Sequence, residues 1–165
     1  MPERLSEPGL AAWRAFLGSY AIVRDHLERE LEESRGLPLS WYEVLVRLSE
    51  APGGSVRMQQ LARGVFLSKS GLTQVATRME AAGLIRREPC PSDRRGINAV
   101  ITPEGRRVAK RAAVIHLGGI QSHFARHLDD EELKAVSVAM RKVFRAEAPA
   151  GATLPGSPQG AGRAD

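Results

Sequence analysis

LARGVFLSKSGLTQVATRMEAAGLIRREPCPSDRRGINAVI, residues 61–101, is the stretch that decides the fold. It begins in a short helix (residues 58–63) and turns at residues 64–67. Ser68 then stands where an N-cap accepts a free backbone N–H. Leu72, Val75, Ala76, Met79 and Ala82 recur at the i, i+3, i+4, i+7 spacing of one buried helical face, and Gly83 closes the helix as a C′ glycine. The opposite face is left with Lys69, Ser70, Thr73, Gln74, Thr77 and Arg78. Ser, Thr, Gln and Arg carry the donors and acceptors that match base edges in the major groove of DNA. No acidic side chain falls on this face before Glu80, and a carboxylate there would be repelled by phosphates.

Residues 84–88 and 97–101 read as short strands flanking the loop Pro89-Cys90-Pro91-Ser92-Asp93-Arg94-Arg95-Gly96. Two prolines stiffen that loop, and Gly96 allows the return into the second strand. Asp93 beside Arg94 and Arg95 predicts an internal salt bridge at the hairpin tip with one guanidinium left over. A spare arginine on a stiff tip suits the minor groove, where the potential is most negative. Of Arg86 and Arg87 at the hairpin base, one should face phosphates, because strand side chains alternate. The fold expected is mainly α with a small β-hairpin wing: a winged helix-turn-helix carried between N- and C-terminal dimerisation helices.

Working outward, Leu10, Trp13, Phe16, Leu17, Tyr20, Val23, Leu27 and Leu31 predict an amphipathic helix ending near Gly36. It carries more apolar face than a small DNA-reading module needs, so part of it is expected to meet a second subunit. Ser40 and Glu43 have capping-box spacing, with Leu39 and Val44 as the staple, and Trp41 in the first turn of the helix they announce. That helix stops at Pro52-Gly53-Gly54, and Val56 can begin a short strand. On the other side, Thr102 and Pro103 supply an N-cap and N1 for a helix to about His127. Gly118-Gly119 interrupts it and predicts a bend or a close helix contact. Asp129 and Glu132 form a second capping box, and Leu133, Val136, Met140, Val143 and Phe144 form the stripe of the last helix. Residues 1–147 are read as one domain, with 37–102 as the winged module and 8–35 and 103–147 as dimerisation helices. Residues 148–165, rich in Ala, Gly and Pro, are read as a disordered tail.

The net charge of +5 is unevenly placed: residues 51–110 hold 11 basic and 4 acidic groups, while residues 1–50 hold 6 and 9. A surplus confined to the segment that holds the helix-turn-helix is the footprint of a polyanion-binding surface. No apolar run approaches the roughly 18 residues a membrane helix requires, so no membrane partner and a cytoplasmic location are expected. The single cysteine excludes an intramolecular disulfide and a cysteine-based zinc site.

Other constellations give rival readings. His116, His123 and His127 fall on one side of a straight helix, and His123 and His127 have metal-pair spacing, but no cysteine or placed carboxylate completes a site. Cys90, with Arg94 and Arg95 nearby, would have a lowered pKa and an exposed thiolate, which opens a redox-sensing alternative. A winged-helix adaptor with an acidic protein partner is the other rival. No phosphate loop, nucleophile elbow, HExxH or dinucleotide fingerprint is present, so neither catalysis nor a cofactor is expected.

The run LTQVATRMEAAGLIRREPCPSDRRGINAVITPEG resembles the core of the MarR (multiple antibiotic resistance regulator) family. The shared order is a recognition helix ending in glycine, a strand, a wing with Asp-Arg-Arg, a second strand, and Thr-Pro-Glu-Gly opening a long helix. The resemblance spans roughly residues 8–147. It implies a homodimer whose two winged modules grip a DNA palindrome, usually as a repressor released by a small phenolic or aromatic effector. Carried over by position, Ser68, Lys69, Ser70, Thr73, Gln74 and Arg78 would face the major groove or flanking phosphates. Arg94 and Arg95 would face the minor groove, Arg86 would add charge at the wing base, and Asp93 would brace the wing. The effector crevice would draw on Trp13, Tyr20, Trp41 and His116.

Overall fold

The computed structural model describes residues 4–65, 67–91, 93–149, 152 and 154, and only the backbone of Arg94 and Arg95. The first helix, α1 (Glu7–Arg35), starts where Ser6 Oγ accepts from the Gly9 N–H at 3.2 Å and ends where Gly36 turns left-handed at φ 59°. Then come α2 (Leu39–Glu50), strand β1 (Ser55–Arg57), α3 (Met58–Gly64) and α4 (Lys69–Ala81). The hairpin β2 (Ile85–Cys90) and β3 (Asp93–Ile101) leads into α5 (Pro103–His123) and α6 (Asp130–Glu147). The three strands form an antiparallel sheet in the order β1-β3-β2, so the chain is a winged helix built mostly of helices.

Among the described residues two apolar cores hold it together. Val44, Leu45 and Leu48 of α2, Leu61 of α3, and Leu72, Ala76 and Met79 of α4 meet Ile85, Ala99 and Ile101 of the sheet. The second core joins Leu27 and Leu31 of α1 to Leu37, Leu39, Tyr42 and Ala112 of α5. Trp41 and Val108 pack against both, which welds the winged half to the long helices.

Several local expectations change. Helix α2 begins at Leu39 with Pro38 in the cap position and no side-chain cap, so Ser40 and Glu43 form no capping box. Burial of Leu39, 2% exposed, draws it into the first turn and carries Ser40 past the point from which a hydroxyl can cap. Ala82 is exposed rather than buried, because the Leu84 N–H returns to Met79 O and the Gly83 N–H to Glu80 O. This Schellman turn lifts Ala82 off the core and buries Leu84 instead. The wing strands reach past the expected loop, with Pro89 opposite Ile97 and Cys90 opposite Asp93. Pro89 is tolerated because β2 is an edge strand and the ladder bulges next to it.

Helix α5 continues unbroken past Gly118-Gly119 and stops at Phe124, after which Ala125–His127 form a 3-10 turn. The close contact expected at the glycines is found: a Cβ on Gly119 would come within 2.6 Å of Leu27 Cδ2 of α1. The capping box at Asp129 and Glu132 forms with both reciprocal hydrogen bonds. The predicted tail, residues 148–165, lies outside the described residues except for 148, 149, 152 and 154.

Candidate nucleic-acid interface

Ser68 caps α4 by accepting from the Gly71 N–H at 3.0 Å, and its oxygen lies 3.2 Å from Ser70 Oγ. Ser68, Lys69, Ser70, Thr73, Gln74, Thr77 and Arg78 are all exposed, so the face expected to read bases is open. Thr73 Oγ1 donates to Lys69 O at 2.8 Å and Thr77 Oγ1 to Thr73 O at 2.9 Å. With their protons used inside the helix, the two threonines present methyl groups and acceptor lone pairs outward. Among the described residues Lys69, Gln74 and Arg78 have no partner, which leaves long donors ready for phosphates and base edges.

Glu80, the first carboxylate along the helix, is turned toward the sheet. It accepts from the Arg87 backbone N–H at 2.8 Å and from Arg87 Nε at 2.8 Å. These hydrogen bonds hold the Glu80 carboxyl below its ordinary range. The pair therefore turns the negative charge away from the exposed polar face of α4 and ties α4 to β2. Arg87 is occupied in this way, while exposed Arg86 shares Glu88 at 3.0 Å. Arg86 is thus the one of the two that points outward.

At the wing, Asp93 Oδ2 lies 3.3 Å from the guanidinium of Arg57, which also donates to Cys90 Sγ at 3.4 Å. The side chains of Arg94 and Arg95, and so their part in the expected salt bridge, lie outside the described residues. Cys90 is buried at 8% exposure, which corrects the expectation of an exposed thiolate. The β-bulge turns its side chain inward, and the redox-sensing alternative loses its access route. An open hollow of about 370 Å³ lies between α4 and the wing, lined by Arg57, Lys69, Thr73, Arg87, Asp93 and Ile97. Sequence reasoning missed Arg57 and Glu80, whose partners are 36 and 7 residues away.

The residues expected to form an effector crevice are not all together. A crevice of about 700 Å³ between α1, α2, α5 and α6 is lined by Tyr20 and His116, together with Arg24 and Glu43. Trp13 and Trp41 are not in its lining: Trp13 is 55% exposed beside Phe16, and Trp41 packs between the two cores. Burial pushes the Glu43 carboxyl up. His116 packs against Tyr42 with ring centroids 4.6 Å apart, and its Nδ1 is shielded without a hydrogen-bond partner.

Burial holds the His116 imidazole below its ordinary 6.5. As pH falls through that value the unfolded chain takes up a proton that the folded chain refuses, so stability is lost with acidification. In urea unfolding at pH 7 and pH 6, His116→Phe is expected to lose less stability on acidification than the wild type. Equal losses would show that burial of a neutral His116 is not the cause.

The other histidines do not converge. His123 Nε2 lies 2.7 Å from Glu30 Oε1, and its ring stacks on His26 at 4.4 Å. His127 stands apart, exposed, in the 3-10 turn. Among the described residues no group of three His, Cys, Asp or Glu side chains could hold a metal ion. No helix among them is long and apolar enough to cross a membrane.

Comparison with known proteins points the same way as this geometry. Residues 35–96 match the model of the MarR family. The crystal structure of Sco3205, a MarR family transcriptional regulator from Streptomyces coelicolor in complex with DNA, is 34% identical. It superposes at a TM-score of 0.82 over 94% of this chain and 97% of its own. The transcriptional regulator HosA of Escherichia coli O111:H- is 28% identical over 134 residues, 81% of this chain and 96% of HosA. The HTH-type transcriptional repressor Rv2887 of Mycobacterium tuberculosis is 34% identical over 95 residues, 58% of this chain and 66% of that protein.

Proposed function

The chain belongs to the MarR family of DNA-binding transcriptional regulators, and from that premise we propose that it is a homodimeric repressor of a palindromic operator. Supporting this reading above all is the face of α4 from Ser68 to Arg78, exposed, free of carboxylates and held at a fixed angle to the wing by Glu80 and Arg87. In the proposed complex Ser68, Lys69, Ser70, Thr73, Gln74 and Arg78 meet the major groove and its flanking phosphates. Arg86 meets the backbone, and Arg94 and Arg95 enter the neighbouring minor groove with Asp93 bracing the turn. Repression is the polarity of the relative Rv2887, and blocking of a promoter is what two rigid groove contacts on one face of DNA would do.

Residues 8–35 and 103–147 supply the dimer contacts, so two copies of the 37–102 module address two half-sites. The inner end of the crevice, at Tyr20, Arg24, Glu43 and His116, receives a small phenolic or aromatic effector. It lies where α2 of the winged module meets the long helices, so a ligand that pried them apart would change the spacing of the two reading heads.

Selection of bound sequences from a random DNA pool tests the reading. The expected product is an inverted repeat with half-site centres roughly 10 base pairs apart, and enrichment of no sequence would overturn it. On that duplex, log K should fall with log salt with a slope of about −5 to −9, as six to ten phosphate contacts require. A flat dependence would remove the phosphate contacts assigned to Lys69, Arg78 and the wing.

A further inference from the structure

We propose that Arg57 is a positioning residue for the wing, a clasp that sets the direction of the hairpin tip relative to the recognition helix α4. The assignment rests on the wing's reading DNA, and it adds a residue from outside both the helix-turn-helix and the hairpin. Strand β1 pairs with β3 only at residues 98–100. Beyond that point β2 and β3 run on as a two-stranded ribbon, with Pro89 opposite Ile97 and Cys90 opposite Asp93. Two-stranded ribbons are marginally stable by themselves, and this one is further loosened by the bulge at Pro89 and Cys90. Its tip is nevertheless the part that must find the minor groove while α4 lies in the major groove.

Arg57 is the last residue of β1, on the strand beside the base of the ribbon. Its guanidinium reaches past the paired segment to Asp93 Oδ2 on one arm at 3.3 Å and Cys90 Sγ on the other at 3.4 Å. One nitrogen, Nη2 of a permanently charged guanidinium, thus ties both arms to the third strand through its two N–H donors. Arg57 and Asp93 also line the hollow against α4, across from Lys69 and Thr73. The Glu80–Arg87 pair fixes the ribbon at its base and the Arg57 clasp fixes it near its tip. Two attachments define a direction where one would define a pivot.

The competing role for Arg57 is direct contact with a phosphate, and the two roles separate in a double-mutant cycle. Full-length wild type, Arg57→Gln, Asp93→Asn and the double variant are compared in two measurements: hydrogen exchange of the free protein, and affinity for the selected palindrome at several salt concentrations. As a clasp, either single change speeds exchange of the hairpin amides at residues 88–97, leaves those of α4 unchanged and lowers affinity by about tenfold. The double variant then loses less than the sum of the two single losses, as groups that share a contact do. Unchanged hairpin exchange in Arg57→Gln overturns the proposal. So do additive losses with a salt slope reduced by about one unit in Arg57→Gln alone, the signature of a lost phosphate contact. If the wild type binds no duplex, the DNA reading fails, while the exchange measurement still decides whether the clasp exists.

Discussion

Gly105→Ala is expected to destabilise the protein by about 2–4 kcal/mol, the range of overpacking against a rigid neighbour. By helix propensity alone the change should stabilise, since alanine is better than glycine by about 1 kcal/mol inside a helix. Gly105 lies in the first turn of α5, where its N–H donates to the cap Thr102 Oγ1 at 3.0 Å. A Cβ there would overlap the backbone carbonyl oxygen of Leu84 and stand 2.9 Å from Ile101 Cγ1. The Leu84 carbonyl has little freedom to retreat. It accepts from the Thr102 N–H at 3.1 Å and from Thr102 Oγ1 at 3.0 Å, and Leu84 itself is held by the Schellman turn that ends α4. Relief would therefore have to separate α5 from the end of the recognition helix. Gly118→Ala is the control, in the same helix with nothing within 4 Å of the added Cβ, and it should stabilise by about 0.5–1 kcal/mol. Urea unfolding of both variants decides the matter, and a neutral or stabilising Gly105→Ala would show that the contact with Leu84 is not rigid.

The same contact shows what was readable in the chain and what was not. The caps at Ser68, Thr102 and Asp129 were legible because a cap is local: one side chain, three residues and a change of periodicity specify it. The exposed polar face of α4 followed from the complementary argument, since a helix with Leu72, Ala76 and Met79 inside must turn Lys69, Thr73, Gln74 and Arg78 out. Ser40 misled for the reason the others succeeded. Its local pattern is that of a capping box, but burial of Leu39 in the α1–α5 core is a tertiary effect that starts the helix two residues early. Pro89 misled in a similar way, because a proline argues against a strand only where its missing N–H is needed, and β2 is an edge. The ion pairs that set the wing were out of reach. Arg57 meets Asp93, and Glu80 meets Arg87, only after the sheet has formed, and no spacing rule marks such partners. Gly105 and Gly119 were visible as glycines in a helix, a costly choice that announces a close approach, yet the neighbours that make it necessary, Leu84 and Leu27, come from elsewhere in the fold.

Val136→Asp combined with Met140→Asp is expected to give the largest functional loss of any surface change in this chain. Helix α6 has a complete capping box and a full apolar stripe, yet none of its residues is buried, and Val136 and Met140 remain 39% and 38% exposed. The first half of α1 repeats the pattern, with Trp13, Phe16, Leu17 and Tyr20 all at least 43% exposed. Burying one such side chain contributes about 1.5–3 kcal/mol, so a single copy of the chain forgoes much of its available stabilisation unless these stripes close on another surface. A second copy offers the same stripes with two-fold symmetry, and each substitution then enters the interface twice. Four unpaired carboxylates in an apolar contact would cost several kcal/mol each, more than a dimer interface of ordinary size can absorb. Light scattering at micromolar concentration should give twice 17.9 kDa for the wild type and the single mass for the double variant. Both cores lack α6 residues, so circular dichroism and the urea midpoint of the winged module should change little. Operator affinity should nevertheless fall by about 100- to 10,000-fold, because two linked reading heads gain that factor from effective concentration and two separate ones do not. A monomeric wild type would overturn the use assigned to the long helices. A double variant that still binds the operator at wild-type affinity would mean that one winged module suffices, and the palindrome would then have no structural reason to exist.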